Sequence, residues 1–278
     1  MNITIIITTN PVAHWTPSTK LIQHIVNQQH LSQLFNCKWV VVCDTQSAEH
    51  EYFKALQQPG TFKNSNMEFL HNHPGRSGLK WSFIQSAEHI QTDYVLFLEH
   101  DWIFEKEVDW QALTNLMDAH DFVHKISFNK RANQIQSKHC IPFKPEDPVA
   151  NRKGLFDSVE FIQEQLGLPR MGCKNDTFME IDDRLQNSGV DMLKCLRWSN
   201  NPFLARADKF RDWVSLIDNG RDGNRSLGVE RELCTYFRKD CYNMGWDQAF
   251  RKWGVYLYGK YNDGRAVRHV NGRAHKWS

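Results

Sequence analysis

Along the first hundred residues the apolar positions switch repeatedly between a strand-like and a helix-like period. Residues 3–8 read Ile-Thr-Ile-Ile-Ile-Thr, a β-branched run that predicts a buried strand. Asn10-Pro11 breaks it. Thr16-Pro17 then has the form of an N-cap followed by proline at the first helical position, and Leu21, Ile22, Ile25 and Val26 carry a helical stripe to about Gln29. Residues 39–43 predict a second strand ending at Asp44, and Ser47 can cap a polar helix from Ala48 to about Gln57. Pro59-Gly60 predicts a turn. Residues 67–70 predict a third strand, and Asn72-His73-Pro74-Gly75-Arg76-Ser77-Gly78 is a loop by composition. Leu79, Phe83, Ile84, Ala87 and Ile90 give the next helix its apolar face. The stretch Asp93-Tyr94-Val95-Leu96-Phe97-Leu98-Glu99-His100-Asp101-Trp102 follows. Its five consecutive apolar residues are too few for a typical helix and predict a strand buried on both faces.

The pattern strand, helix, strand, helix, strand, helix, strand implies an α/β fold with a mostly parallel central sheet. Beyond it, Trp110, Leu113, Leu116 and Met117 mark a helix, and residues 122–128 a strand. From about 129 to 191 the pattern loses regularity, with Pro142, Pro145, Pro148 and Pro169 punctuating it and a short helix expected near 158–166. A long irregular segment in a compact domain usually serves function, for example as an active-site lid. Residues 193–198 predict a strand, 207–217 a helix, 230–239 and 242–253 two more helices, and 255–258 a last strand. No internal repeat and no low-complexity tract divides the chain, which reads as one domain, with 1–128 as one half and 129–278 as the other.

Composition changes this picture little. The 278 residues are 41% hydrophobic and 24% charged, as in ordinary globular proteins. A formal net charge of +2, without a polybasic run, gives no field for nucleic acid. The seven cysteines are scattered without a C-x-x-C pair, which argues for free thiols in a reducing compartment. No apolar stretch approaches the ~20 residues that cross a bilayer, and the first residues lack the charge-then-apolar order of a secretory leader. The expectation is a soluble, cytoplasmic protein.

Chemistry enters at the strand ends. In open α/β sheets, ligands sit beyond the carboxyl ends of the strands. Thr8-Thr9-Asn10, Asp44 and Glu99-His100-Asp101 all fall there. Two acids one residue apart suit a hard divalent cation whose shell substrate phosphates complete. The competing reading of the pair is a solvated acidic turn, and that of Asp44 a plain turn aspartate. Arg76 and Lys80 flank a helix start, where anions are favoured, and could neutralise a phosphate; solvated surface cations are the alternative.

These features resemble glycosyltransferases of the GT-A fold, particularly the large inverting family that includes chitin and cellulose synthases. The matching parts are the first strand at 3–8, Asp44, the loop at 72–78, and the strand at 94–101 with its acidic end. The resemblance covers about the first 110 residues well and the rest loosely. It implies a Rossmann-like GT-A sheet flanked by helices, an enzyme that moves a sugar from a nucleotide-diphosphate sugar to an acceptor hydroxyl, and Mn2+ or Mg2+ on the diphosphate. Thr8, Asp44, Arg76, Lys80, Glu99 and Asp101 would contact the donor. Glu99 stands where the family has Asp; its longer arm shifts reach by one methylene, so Asp101 is the better direct ligand. The resemblance also implies an acid at a helix start after a glycine-containing loop, a slot filled by Glu230, with Glu232 in reserve. The competing reading is an acidic first turn favoured by the helix dipole. A late histidine returning to the metal would be His269, with His275 as runner-up, and Arg268 and Arg273 could meet the diphosphate. Trp198 to Phe203 fall where such folds line the acceptor site, with core packing as the other explanation for Trp198 and Phe203. A sugar-phosphate nucleotidyltransferase would want a glycine-rich loop after the first strand, and Thr8-Thr9-Asn10-Pro11-Val12-Ala13 has none. A non-catalytic nucleotide-sugar or carbohydrate-binding module is the reading from another class.

Overall fold

The computed structural model describes residues 2–11, 29–58, 62, 66–130, 179–195, 198–218, 228–244, 246–260 and 263–269. The expected helix at 16–29, the turn at Pro59-Gly60, the irregular segment from 131 to 178, and His275 and Arg273 lie outside the described residues. Of the helix at 16–29, only Gln29 is described, at the start of a 3-10 turn (Gln29–Leu34).

Strands β1 (Ile3–Thr9), β2 (Lys38–Cys43), β3 (Met67–His71) and β4 (Tyr94–Glu99) form the parallel part of a mixed sheet. Helices α1 (Glu51–Leu56) and α2 (Leu79–Ala87) connect them. Both start later or end earlier than the apolar stripe implies. At α1, the Ser47 hydroxyl accepts the Glu49 N–H and closes a turn, so the cap passes to His50, whose Nδ1 accepts the Tyr52 N–H. The helix therefore begins three residues beyond the expected Ala48.

The sheet continues through β9 (Phe203–Arg206), β6 (Lys125–Ser127), β10 (Val255–Tyr258), β8 (Met192–Cys195) and β7 (Met179–Ile181). Its order is β3-β2-β1-β4-β9-β6-β10-β8-β7. Among its described strands, β9 and β8 run against the others. The architecture is thus mixed but mostly parallel in strand direction, flanked by helices and broadly Rossmann-like. β9 was not expected. Its four residues run straight into helix α4 (Ala207–Asp218), so the helical period hides them. β6 is shorter than the 122–128 run because Val123 N–H turns back to the His120 carbonyl. Helices α3 (Trp110–Ala119), α5 (Val229–Met244) and α6 (Trp246–Trp253) complete the described elements around this sheet.

The core explains why β4 is central. Ile5, Ile6, Ile7, Val95, Leu96, Phe97 and Leu98 are wholly buried, because helices cover both faces of these strands. Each such side chain contributes about 1.5–3 kcal/mol of burial. Phe83 of α2 meets Phe97 edge-on at 5.2 Å and Phe210 of α4 at 4.3 Å, which seats two helices on one strand. Trp198 and Phe203 are also fully buried, 5.5 Å apart. Trp198 is therefore a core residue with no face to offer a sugar, and the core explanation for Phe203 holds as well.

A second, two-stranded sheet stands beside the rim. β5 (Trp102–Phe104) leaves β4 after only two residues and pairs antiparallel with β11 (Val267–His269). This ribbon is the piece of fold that matters most for the site, since it returns the end of the described chain to the tip of β4.

Candidate active site at the strand tips

The parallel register fixes which residues meet. Thr8 pairs with Glu99, Thr9 with Cys43, and Cys43 with His71. The ladder runs on for one more bond at each edge: Asp44 N–H donates to the Thr9 carbonyl (2.7 Å), and His100 N–H to the Thr8 carbonyl (2.9 Å). All four strands therefore stop within about one residue of a common line, and their polar ends form one rim. A cleft of about 230 Å³ opens there, lined by Thr8, Thr9, Asn10, Asp44, Gly78, Leu79, Ser82 and the acidic tip Glu99-His100-Asp101. The expected convergence of the three polar strand ends is observed.

Asp44 joins the end of β2 to the amino end of α2. Its Oδ1 accepts the Asn72 side-chain amide and the Gly78 N–H, each at 2.8 Å. Gly75 and Gly78 both have positive φ, 78° and 89°, where a Cβ is unfavourable. The carboxylate thus caps the amino end of α2 in place of a capping side chain, which α2 lacks. Asp44 is also one of the residues that line the cleft.

The acidic tip is a crowded electrostatic place. Glu99 is pushed up to about 7, first by burial and then by the charge of Asp101; Glu230 raises it further, while His269 and Lys130 pull it down. That set of influences places Glu230, from the first turn of α5, in the same neighbourhood as the strand-tip acids. His269 Nε2–H donates to Asp101 Oδ2 at 2.8 Å. This bond raises the imidazole above its ordinary range; burial opposes the rise, and the charges of Asp101 and Glu99 add to it. The pairing of His269 with Trp102 across β5 and β11 is the cause of the contact, because Trp102 directly follows Asp101. Asp101 Oδ1 is buried and has no hydrogen-bond partner among the described residues.

Other expected residues are placed elsewhere. Glu232 lies two positions beyond Glu230 and turns away to Lys80, with Lys80 Nζ and Glu232 Oε1 3.4 Å apart and both side chains largely buried. This pair ties α5 to α2. Arg76 is exposed and lies over the Trp81 ring, 4.4 Å from its centroid. Arg268 does not reach the acidic tip. It alternates with His269 along β11 and donates from Nε to Glu105 at 2.9 Å, beside Arg265, which also pairs with Glu105. Strand alternation sends neighbouring side chains to opposite faces, so His269 and Arg268 could not both meet a diphosphate.

Lys130 is the residue that the sequence reading missed. It stands three positions beyond β6, with its ammonium 5.7 Å from the centroid of the Trp102 ring. Nothing in its sequence context marks it, because only the folded sheet brings the end of β6 beside β5.

The expected Mn2+ or Mg2+ can be tested against these groups. Among the described residues, no group of three His, Cys, Asp or Glu side chains forms a ready metal cage, so Asp101, Glu99 and His269 are not a preformed three-ligand set. The chemistry of the pair still fits. Asp101 has a buried oxygen with no partner among the described residues, His269 lies on the same carboxylate, and Glu99 is beside them. Ions such as Mg2+ are ordinarily held by one or two carboxylates with substrate phosphates and water completing the shell.

The fold and site together define an α/β protein of broadly Rossmann-like design, with an acidic cleft at its parallel strand ends. Similar solved structures are weak and low in identity. S. aureus TarS residues 1–349 are 13% identical with a TM-score of 0.48, covering 97% of this chain and 60% of that one. The mannosyltransferase PcManGT from Pyrobaculum calidifontis, in complex with GDP-Man and Mn2+, is 16% identical with a TM-score of 0.34 over 47% of this chain and 36% of its own. CMP:2-keto-3-deoxy-manno-octonic acid synthetase complexed with CTP is 9% identical with a TM-score of 0.41, covering 96% and 93%. The chain spans about 60% of the length of the first of these. No family model and no curated protein matches the chain. Among the described residues, no helix is long and apolar enough to cross a membrane.

Proposed function

We propose that this protein is a glycosyltransferase that moves a sugar from a nucleotide-diphosphate sugar to an acceptor hydroxyl, with inversion. The reading rests on one observation above the others: Asp101, which lines the cleft with Glu99, keeps a buried carboxylate oxygen without a partner among the described residues, while His269 pairs with its other oxygen and the charge of Glu230 acts on Glu99. A buried carboxylate oxygen is costly to leave unsatisfied, so the arrangement asks for a cationic ligand.

In this proposal Asp101 and His269, with Glu99 beside them, would hold Mn2+ or Mg2+ on the donor diphosphate. The cation supplies charge neutralisation for the leaving group. Thr8 and Asp44 line the part of the cleft where the nucleoside would lie. The acceptor oxygen forms its bond to the anomeric carbon as the bond from that carbon to the diphosphate oxygen breaks. Glu230 takes the acceptor proton, and the nucleoside diphosphate leaves. Glu232 is held by Lys80 and stays outside this step. One domain carries the whole reaction, with 1–128 chiefly on the donor side and 129–278 supplying the acceptor side and the returning His269.

The test is a panel of nucleotide-sugars offered with Mn2+ or with EDTA, read by release of nucleoside diphosphate. One donor is expected to be hydrolysed slowly, in a metal-dependent manner. A panel in which no donor is bound or turned over, with or without metal, rejects the proposal.

A further inference from the structure

A diphosphate brought against three acids needs more positive charge than one divalent cation supplies. Among the described residues, the cations expected from the sequence are engaged elsewhere: Arg76 lies on Trp81, Lys80 on Glu232, and Arg268 on Glu105. The ammonium that stands beside the acidic tip is that of Lys130. Its Nζ lies 5.7 Å from the Trp102 ring centroid. The same ring lies 4.6 Å from the His269 ring, and His269 rests on Asp101. The neighbouring Asn129 carbonyl accepts the N–H groups of Ala266 and Val267, at 2.9 and 3.2 Å. The segment that carries Lys130 is thereby tied to the strand that carries His269. Lys130 is exposed, and the Trp102 ring it lies over directly follows the cleft-lining Asp101.

We propose that Lys130 is an anion-binding residue of this site, whose ammonium meets the donor diphosphate and the charge that gathers on the departing nucleoside diphosphate. The inference rests on the proposed glycosyl transfer. Two features favour lysine in this role. A lysine ammonium is a compact charge on a flexible stem, able to follow a group that moves away. The aromatic face of Trp102 attracts that charge and steadies it over the tip. The electrostatic influence of Lys130 reaches Glu99 and His269 in the expected sense, since it disfavours a proton on both.

The experiment is calorimetry on the full chain in MnCl2, with inorganic pyrophosphate, uridine diphosphate, guanosine diphosphate and the two free nucleosides as probes. The wild type is expected to bind pyrophosphate and at least one nucleoside diphosphate. Lys130→Met should weaken both by about tenfold or more, as loss of a charge-assisted contact does. Lys130→Arg should stay within about threefold of the wild type, because it keeps the charge. The nucleoside matching the bound diphosphate should bind wild type and Lys130→Met alike. The melting temperature should not move, because the side chain is exposed. Diphosphate binding by Lys130→Met equal to that of the wild type overturns the role of Lys130 and leaves the proposed reaction standing. A wild type that binds none of the phosphates overturns both.

Discussion

Glu99 and Asp101 lie two residues apart at the end of a strand, while Glu230 and Glu232 lie two residues apart at the start of a helix. On paper the pairs are alike. Glu99 ends β4 and Asp101 sits in the tight turn that follows, so both strand-tip acids line one cleft. Around a helix, two positions turn the side chain by about 200°, so such residues do not face each other. Glu230 accordingly acts electrostatically on Glu99, and Glu232 goes to Lys80. The same spacing thus concentrates charge in one element and divides it in the other. The first pair lies together at the cleft; the second splits into a group whose charge acts on Glu99 and an anchor to Lys80.

The sharpest way to break this comparison is at Asp101. Asp101→Ala should reduce metal-stimulated donor hydrolysis by roughly 10³-fold or more, the scale of a lost electrostatic group at the reacting centre. Turnover equal to that of the wild type would remove Asp101 from the chemistry.

The next effect separates the helix pair. Glu230→Gln should lower transfer by about 10²–10⁴-fold, the usual contribution of a general base, with nucleoside diphosphate binding kept. Glu232→Gln should lower it by less than about tenfold and act chiefly on stability, through the bridge to Lys80. Equal kinetic losses in the two variants would show that the helix does not divide them.

A third test uses pH. In the fold Glu99 titrates at about 7, above its ordinary 4.5. Between these values the folded protein holds a proton that the unfolded chain releases. Wild-type stability should therefore fall as pH rises through that window and level off above it. Glu99→Gln has no such proton to lose. At pH 8 in EDTA it should be the more stable protein, by on the order of 1–3 kcal/mol in denaturant titrations. A variant less stable than the wild type at pH 8 would mean that the charged form of Glu99 is well solvated.

The smallest effect is expected on the outer face of β11. Arg268→Ala removes an exposed ion pair and should change stability by less than about 1 kcal/mol, with donor hydrolysis unchanged. A large kinetic loss there would place Arg268 in the cleft, against the alternation with His269.

Much of the parallel half was legible because its signals are local. β-branched runs at 3–8 and 39–43 form the strands they predict, and their ends were marked by Asn10 and Asp44. The apolar run at 94–98 gave the central strand and its acidic tip. Beyond it, the expected strands at 122–128, 193–198 and 255–258 appear as β6, β8 and β10, but other strands were hidden for physical reasons. Phe203–Arg206 is short and continuous with a helix, while Trp102–Phe104 has no meaning until Val267–His269 pairs with it. Trp198 looked like a sugar-binding aromatic because sequence carries no information on which rings are covered; the packing of Phe83, Phe203 and Trp213 around it decides the matter.

By itself the sequence determined that three strands end in polar groups and that acids gather at one tip, since residue order sets both period and punctuation. Tertiary structure alone decided that Glu230 acts on the strand-tip acids while Glu232 is tied to Lys80, that His269 reaches Asp101 while Arg268 pairs with Glu105, and that Lys130 stands beside Trp102. The reason is that each of these depends on a rotation about a helix or on a register between distant strands. Neither is encoded in the residues that carry the charge, but in the buried side chains that seat their elements.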